Sequence, residues 1–334
     1  MSERVTMAHV AQKAGVSLMT VSRVINDKEG VGQATRERVK AFIEQLGYSP
    51  SDIARGLVTK HTGTLGLVMP DVANPFFAEV ARGAEHIAYD AGYNLFLCNT
   101  GEDTQRELEM LQSLEEKRVD GVLVCSSRLE ESVLEEAVAS HPAAVLLSRR
   151  LESDDVGSVV INDLLGGQMA TEHLLRAGHR AIGLLAGPLI SESGRSRAKS
   201  YRATLVATGV SFDPDWTRHC MPTVEGGREM ARELLTDEPE LTALFCHNDL
   251  IAIGALQACA DLGRAVPTDV AVVGYDDIPP AALVSPSLTT CRVPRYEMGS
   301  RAMQLLLEKI SGCAGEECKE IIFQPELVVR DSAP

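Results

Sequence analysis

The side chains best able to do chemistry in this chain come in short polar groups, each directly after a short apolar run. Asp71 follows Leu65 to Met69, Asn99-Thr100 follows Tyr93 to Cys98, and Ser126-Ser127 follows Gly121 to Cys125. Ser148-Arg149-Arg150, Gly187, His247-Asn248-Asp249 and Tyr275-Asp276-Asp277 follow Ala143 to Leu147, Ala181 to Ala186, Ala243 to Cys246 and Val270 to Gly274. Hydroxyls, amides, guanidiniums and carboxylates gathered this way suit hydrogen bonding to a polar small molecule. They do not make a catalytic set: no G-x-G-x-x-G follows the first apolar run, and H-E-x-x-H, G-x-S-x-G and G-x-x-x-x-G-K-[ST] do not occur. Neither an enzyme nor a cofactor is expected. The eight cysteines form no C-x-x-C pair and have no histidine at zinc-finger spacing. They are read as reduced small hydrophobes, with Cys313 and Cys318 as surface thiols in a Gly-containing loop.

The apolar runs are the elements that must position those groups. They read as short buried strands, separated by helical stretches starting near Pro75, Thr104, Leu129, Asp163, Gly194, Gly226 and Asn248. Repeating strand and helix in this order predicts a doubly wound parallel sheet with helices on both faces, and about 270 residues of it predicts two lobes. In such folds ligands sit at the carboxyl ends of strands, where the polar groups lie.

Ahead of this pattern the chain is purely helical. Thr6 caps Met7 to Ala14, Ser17 caps Leu18 to Ile25, and a third helix runs from Gln33 to Leu46, with Gly15 and Gly47 as stops. Apolar residues at three- and four-residue spacing give each helix one buried stripe, so the three share a small core. The segment Ser51 to Val58 is one more capped helical stretch, too short to be stable alone and weakened further by Gly56. Charge follows the same division. The chain carries a net −15, yet residues 1–60 hold nine lysines and arginines against six acidic residues, leaving a +3 head on a −18 body. That asymmetry fits a nucleic-acid reader joined to a different module.

The run Val5 to Asn26 closely resembles the amino terminus of the lactose/galactose repressor family. The resemblance extends along the chain through Leu46-Gly47-Tyr48-Ser49-Pro50, Pro70 to Phe77, Gly178-His179-Arg180, Val273 to Asp277 and Pro325 to Arg330. It implies an all-α helix-turn-helix head (1–48), a hinge helix and linker (49–61), and a two-lobed, periplasmic-binding-protein-like α/β effector domain (62–334). Lobe 1 would take about 62–160 and 292–320, and lobe 2 about 161–291 and 321–332. The head would bind double-stranded operator DNA, with Thr6, Ser17, Thr20, Ser22 and Tyr48 positioning it and Arg23 reading a guanine. Leu18 and Met19 match operator-selecting positions; being apolar, they would touch thymine methyls unless they belong to the core. Asn26 would hold the backbone after the reading helix. The third-helix charges Arg36, Arg38 and Lys40 are expected on a solvated face. In the hinge, Ala54 and Leu57 match the minor-groove pair, Leu57 being the wedge that unstacks a base step.

For the effector site the resemblance implies Arg197 and Asp276, a forked donor facing a double acceptor, the arrangement that grips vicinal hydroxyls. Phe76 and Phe77 would stand at the cleft mouth or in the core, and Asn248 would touch the ligand or cap the next helix. Arg149 and Arg195 are further candidates; if both face the cleft, a sugar acid or phosphorylated sugar is favoured over a plain sugar. Met221 occupies a position where relatives place a stacking aromatic ring. The chain is expected to be cytoplasmic, since residues 1–20 carry Glu3, Arg4, His9 and Lys13 where a signal peptide is apolar and no long apolar run follows. A homodimer is expected, because Arg330 to Pro334 begins no heptad tail. A sugar-binding transport protein is the alternative with the same two lobes, but it has no use for a basic head.

Overall fold

The structure, a computed structural model, describes residues 5–48, 61–153, 155–313 and 320–334. It divides into two compact units, residues 1–62 and 63–334. In the first, α1 (Met7–Ala14), α2 (Leu18–Ile25) and α3 (Gln33–Leu46) bury Val10, Ala11, Ala14, Val21, Val24 and Val39 against one another. Gly15, at φ 64°, closes α1 in the left-handed conformation that most side chains avoid, and Ser17 then accepts a hydrogen bond from the Thr20 amide at 3.2 Å to open α2. Those two residues set the turn. Arg36 departs from the expected solvated face: its guanidinium binds Asp27 at 2.6 Å and the Lys28 carbonyl at 2.8 Å, tying α3 to the loop after α2.

The second unit holds two six-stranded sheets. The strands are β1 (Thr64–Met69), β2 (Asn94–Asn99), β3 (Gly121–Cys125), β4 (Ala144–Leu147), β5 (Val156–Ile161), β6 (Ile182–Ala186), β7 (Thr217–His219), β8 (Ala243–Cys246), β9 (Ala271–Asp276), β10 (Thr289–Arg292), β11 (Glu320–Phe323) and β12 (Glu326–Val328). The first sheet has the order β11-β5-β4-β3-β1-β2 and is parallel throughout; the second, β12-β10-β9-β8-β6-β7, is parallel except that β12 runs against β10. The intervening helices are α4 (Pro75–Asp90), α5 (Thr104–Glu116), α6 (Glu131–Ala139), α7 (Asp163–Arg176), α8 (Glu192–Ala207), α9 (Val224–Asp237), α10 (Asp249–Asp261) and α11 (Arg295–Ile310).

The chain crosses between sheets three times: after β5, between β10 and α11, and between β11 and β12. Three of the expected lobe limits shift accordingly. Ile161 ends β5 in the first sheet, Arg292 stays with the second sheet through its pairing with Asp276, and residues 321–323 belong to the first sheet beside β5. The inner strands β3, β4, β6, β8 and β9 are buried along their length, as strands covered on both faces must be. Their polar continuations are therefore pushed out at one end, into the gap between the two sheets.

Candidate DNA-reading and effector sites

In the head, Leu18 and Met19 are 53% and 66% exposed while Val21 and Val24 turn inward, so the first turn of α2 presents an apolar pair to its surroundings. Thr20 lies beside Ser17, their hydroxyls 3.0 Å apart, and Arg23 is exposed on the last turn. Asn26 donates to the Ser22 carbonyl at 2.9 Å and closes α2. Thr6 precedes α1, its amide donating to His9 Nδ1 at 3.3 Å, and Tyr48 packs against the head core. Ala54 and Leu57 lie outside the described residues.

In the second unit, five residues expected at the effector site meet on one cavity of about 40 Å³: Phe76, Phe77, Arg197, Asn248 and Asp276. Each is set by local structure. Asn74 accepts from the Phe76 amide at 2.9 Å and, with Pro75, starts α4 so that both phenylalanines sit on its first turn, their rings edge to face at 5.1 Å. Asn248 Oδ1 caps α10 through the Ile251 amide at 2.9 Å, and the residue also lines the cavity. Asp276 ends β9 with φ at 114°. Glu102, Ser126 and Ser148, also on the wall, have φ of 63°, 48° and 56°. Left-handed non-glycine backbone costs on the order of 1–3 kcal/mol per residue. Its concentration at these strand ends marks a place where side-chain direction matters more than local stability.

Arg197 is the centre of the second-lobe wall. Its Nε donates to Asp163 Oδ1 at 2.8 Å, an Nη donates to the His247 carbonyl at 2.5 Å, and the guanidinium lies 3.5 Å from the Tyr275 ring centre. Burial alone would disfavour its charge, but Asp163 holds it firmly protonated. Burial also pushes the Asp163 carboxyl up, against the pull of Arg197, and keeps His247 neutral. Asp276 is raised by burial to about 7, with Arg197 and Arg295 opposing and Asp163 assisting. Beneath it Asp249, fully buried and also raised by burial, accepts from Thr290 at 2.6 Å and from the Ile278 amide at 2.8 Å.

A ligand whose hydroxyls need the ionised Asp276 should bind more tightly as pH rises through about 7. The folded domain behaves oppositely: it holds this proton above the ordinary Asp value near 4, so Asp276 makes stability fall between that value and about 7. Calorimetric titration from acid to mildly alkaline pH checks the first statement; a profile as flat as that of Asp276→Asn would refute it.

Three expected residues do not reach the cavity. Arg149 is buried behind the wall with one Nη donating to the Leu129 carbonyl at 3.3 Å, because Ser148 takes the cavity side of the turn. Arg195 sits on α8 two residues before Arg197, hence on the opposite face, and binds the Ile190 carbonyl at 2.9 Å. Met221 is 52% exposed, and its neighbour Pro222 lines the cavity instead. Sequence reasoning missed Glu102 and Arg128, whose mutual ion pair forms part of the first-lobe wall. They are 26 residues apart, and no local pattern links them. A larger open depression, about 560 Å³, runs along α9, but salt-bridged side chains of that one helix line it and no second wall faces them.

A capped three-helix head of the helix-turn-helix kind, joined in sequence to a two-lobed domain with a polar cleft at its strand ends, defines a ligand-controlled DNA-binding regulator. Residues 6–51 match the model for bacterial regulatory proteins of the lacI family, and residues 62–329 match that for periplasmic binding proteins and the sugar-binding domain of the LacI family. The chain belongs to the LacI family. It is 36% identical over 331 residues to the HTH-type transcriptional repressor PurR of Haemophilus influenzae (strain PittEE), covering 98% of each. It is 37% identical over 330 residues to the ribose operon repressor of Haemophilus influenzae (strain ATCC 51907 / DSM 11121 / KW20 / Rd), again covering 98% of each. Among solved structures, the transcriptional regulator CelR in complex with cellobiose superposes with a TM-score of 0.75 at 34% identity, over 98% of this chain and 100% of that one. The lac repressor dimer bound to operator and the anti-inducer ONPF gives 0.84 at 27% identity, over 99% of each.

Proposed function

We propose that this chain is a homodimeric cytoplasmic repressor, without enzymatic activity, whose operator affinity is set by a sugar or sugar derivative held between Arg197 and Asp276. The observation that carries the ligand class is the meeting, on one buried wall system, of a forked donor, a carboxylate acceptor and two phenylalanine rings. Guanidinium and carboxylate grip adjacent hydroxyls, while apolar ring surface covers the C–H face of a pyranose or furanose. Arg149 and Arg195 do not line the cavity and bond the Leu129 and Ile190 carbonyls instead, which weighs against an acidic sugar. The resemblance to a ribose operon repressor and to a cellobiose complex supports the same class. Among the described residues no helix is long and apolar enough to cross a membrane.

At the operator, α2 enters the major groove with Leu18 and Met19 against thymine methyls and Arg23 on a guanine; Thr6, Ser17, Thr20, Ser22 and Tyr48 fix the register on phosphates, and Asn26 holds the helix end. Ala54 and Leu57 act in the minor groove, where unstacking one step bends the duplex. Effector binding changes the closure of the two lobes, and the hinge passes that change to the paired heads.

Selection from a pool of randomised duplexes, with and without a panel of sugars, tests the whole reading. A palindromic site should emerge, and a sugar that raises the melting temperature should shift its occupancy; recovery of no preferred sequence would end the proposal. In the same assay Arg23→Ala should cost about 1–3 kcal/mol and relax preference at one base pair per half-site. Unchanged selectivity would remove Arg23 from base reading.

A further inference from the structure

The first-lobe wall of the cavity contains a complete arginine–carboxylate fork. Arg128 Nε donates to Glu102 Oε2 at 2.5 Å and Nη2 donates to Oε1 at 3.0 Å, with side chains only 6% and 10% exposed. The third arm, Nη1, donates to the Ser126 carbonyl at 2.8 Å, and the Arg128 amide donates to Glu107 at 2.9 Å. Glu102 reaches this position from a left-handed backbone, φ 63°, in the turn after β2. On the opposite wall Arg197 is paired with Asp163 through a single hydrogen bond from Nε at 2.8 Å, while one Nη is taken by the His247 carbonyl.

Each cavity arginine thus arrives with its own carboxylate, and Asp276 adds a further acceptor. An entering phosphate or carboxylate meets no uncompensated cation and two acidic side chains. A neutral hydroxyl meets acceptors that keep spare lone pairs and guanidinium N–H groups not used by the forks. A bidentate guanidinium is ordinarily the group of choice for oxyanions, so masking Arg128 decides the sign of the ligand.

We propose that Glu102 is the residue that sets charge selectivity: by occupying the Arg128 fork it makes the cleft accept neutral sugars and reject their phosphorylated or acidic counterparts. The inference rests on the sugar reading given above and sharpens it. It predicts a switch. With the fork released, Arg128 becomes available to an oxyanion in a site of low effective dielectric, where one unpaired charge dominates.

The test uses the full-length protein and matched pairs of probes: pentoses, hexoses and disaccharides, each beside its phosphate or uronic acid, followed by thermal shift and calorimetry. The wild type should be stabilised by the neutral member of at least one pair and by no anionic member. Glu102→Gln, nearly isosteric, should move the neutral-to-anionic ratio of dissociation constants by at least tenfold toward the anion, and Glu102→Gln with Arg128→Gln should lose the acquired anion binding. Should Glu102→Gln not fold, Glu102→Asp retracts the carboxylate by one methylene, loosens the fork and should give a smaller shift in the same direction. A wild type that answers to no neutral sugar, or that prefers the anionic members, overturns the sugar reading together with the role of Glu102. A wild type that prefers neutral sugars while the Glu102 variants keep its ratio overturns the role of Glu102 alone.

Discussion

Replacing Arg197 by alanine should leave operator binding by the unliganded dimer in place and abolish its response to effector. The residue is 6% exposed, and from α8 its guanidinium touches three other parts of the second lobe: Asp163 at the start of α7, the His247 carbonyl just after β8, and the Tyr275 ring of β9. Truncation removes the donor that shares the second-lobe wall with Asp276 and also strands Asp163, whose carboxyl burial already pushes upward. Breaking one partner out of a buried pair typically costs about 3–5 kcal/mol, a sizeable part of the roughly 5–15 kcal/mol that holds a domain together. The variant should therefore melt earlier but remain folded, and Arg197→Lys, which keeps the charge without the planar fork, should restore stability better than ligand response. Fluorescence anisotropy with a labelled operator, titrated with the stabilising sugar, reads both effects. A normal effector response in Arg197→Ala would take Arg197 out of the ligand site.

The legible parts of this protein are those governed by local rules. The three head helices run over the residues the caps delimit, because Ser17, Gly15 and Gly47 act within one turn of chain. The short inner strands β3, β6 and β8 are runs without a polar side chain. What escaped is non-local. β5, read Val-Gly-Ser-Val-Val-Ile, is buried throughout but broken by small and polar residues; β10 is Thr-Thr-Cys-Arg; β7 and β12 are three residues long. β11 and β12 exist only because the chain's end returns to each sheet in turn, and no periodicity announces that. At the site, Asn248 and Asp276 were legible because strand ends face the cleft in this architecture, whereas Arg197, inside α8, was legible only through the family resemblance. Arg149 and Arg195 failed for one shared reason: each lies one or two positions from a true wall residue, Ser148 or Arg197, and so points the other way. The Glu102–Arg128 pair belongs to a class that sequence hides altogether, two ordinary surface-type residues made into a wall by the folding of separate loops.

The framework behind that wall depends on two glycines, and Gly299→Val should be the most damaging single substitution in the first lobe. α4 and α11 cross so closely that a β-carbon on Gly299 would lie 2.1 Å from the Val80 carbonyl oxygen, and one on Gly83 would lie 2.1 Å from that of Tyr296. Both obstacles are backbone, so no side-chain rotation can relieve them; the helices must separate. Separation also breaks the hydrogen bond from Ser300 Oγ to the Gly83 carbonyl at 3.2 Å and opens the packing of Val80, Ala84, Ala302 and Met303. Overpacking of ordinary core positions costs about 1–3 kcal/mol. With two branched methyls driven into a helix backbone, a loss above about 4 kcal/mol is expected, equivalent to roughly 10 °C or more for a domain of this size. Since Phe76 and Phe77 stand on the first turn of α4, the same displacement distorts the cavity, and whatever folded protein survives should bind its sugar poorly. The head is a separate compact unit, so its helices should persist at temperatures where the effector domain of Gly299→Val has melted. Calorimetry resolves the two transitions. A variant melting within about 2 °C of the wild type would mean that the helices can part without cost, and that the returning carboxyl-terminal segment does not fix the position of α4.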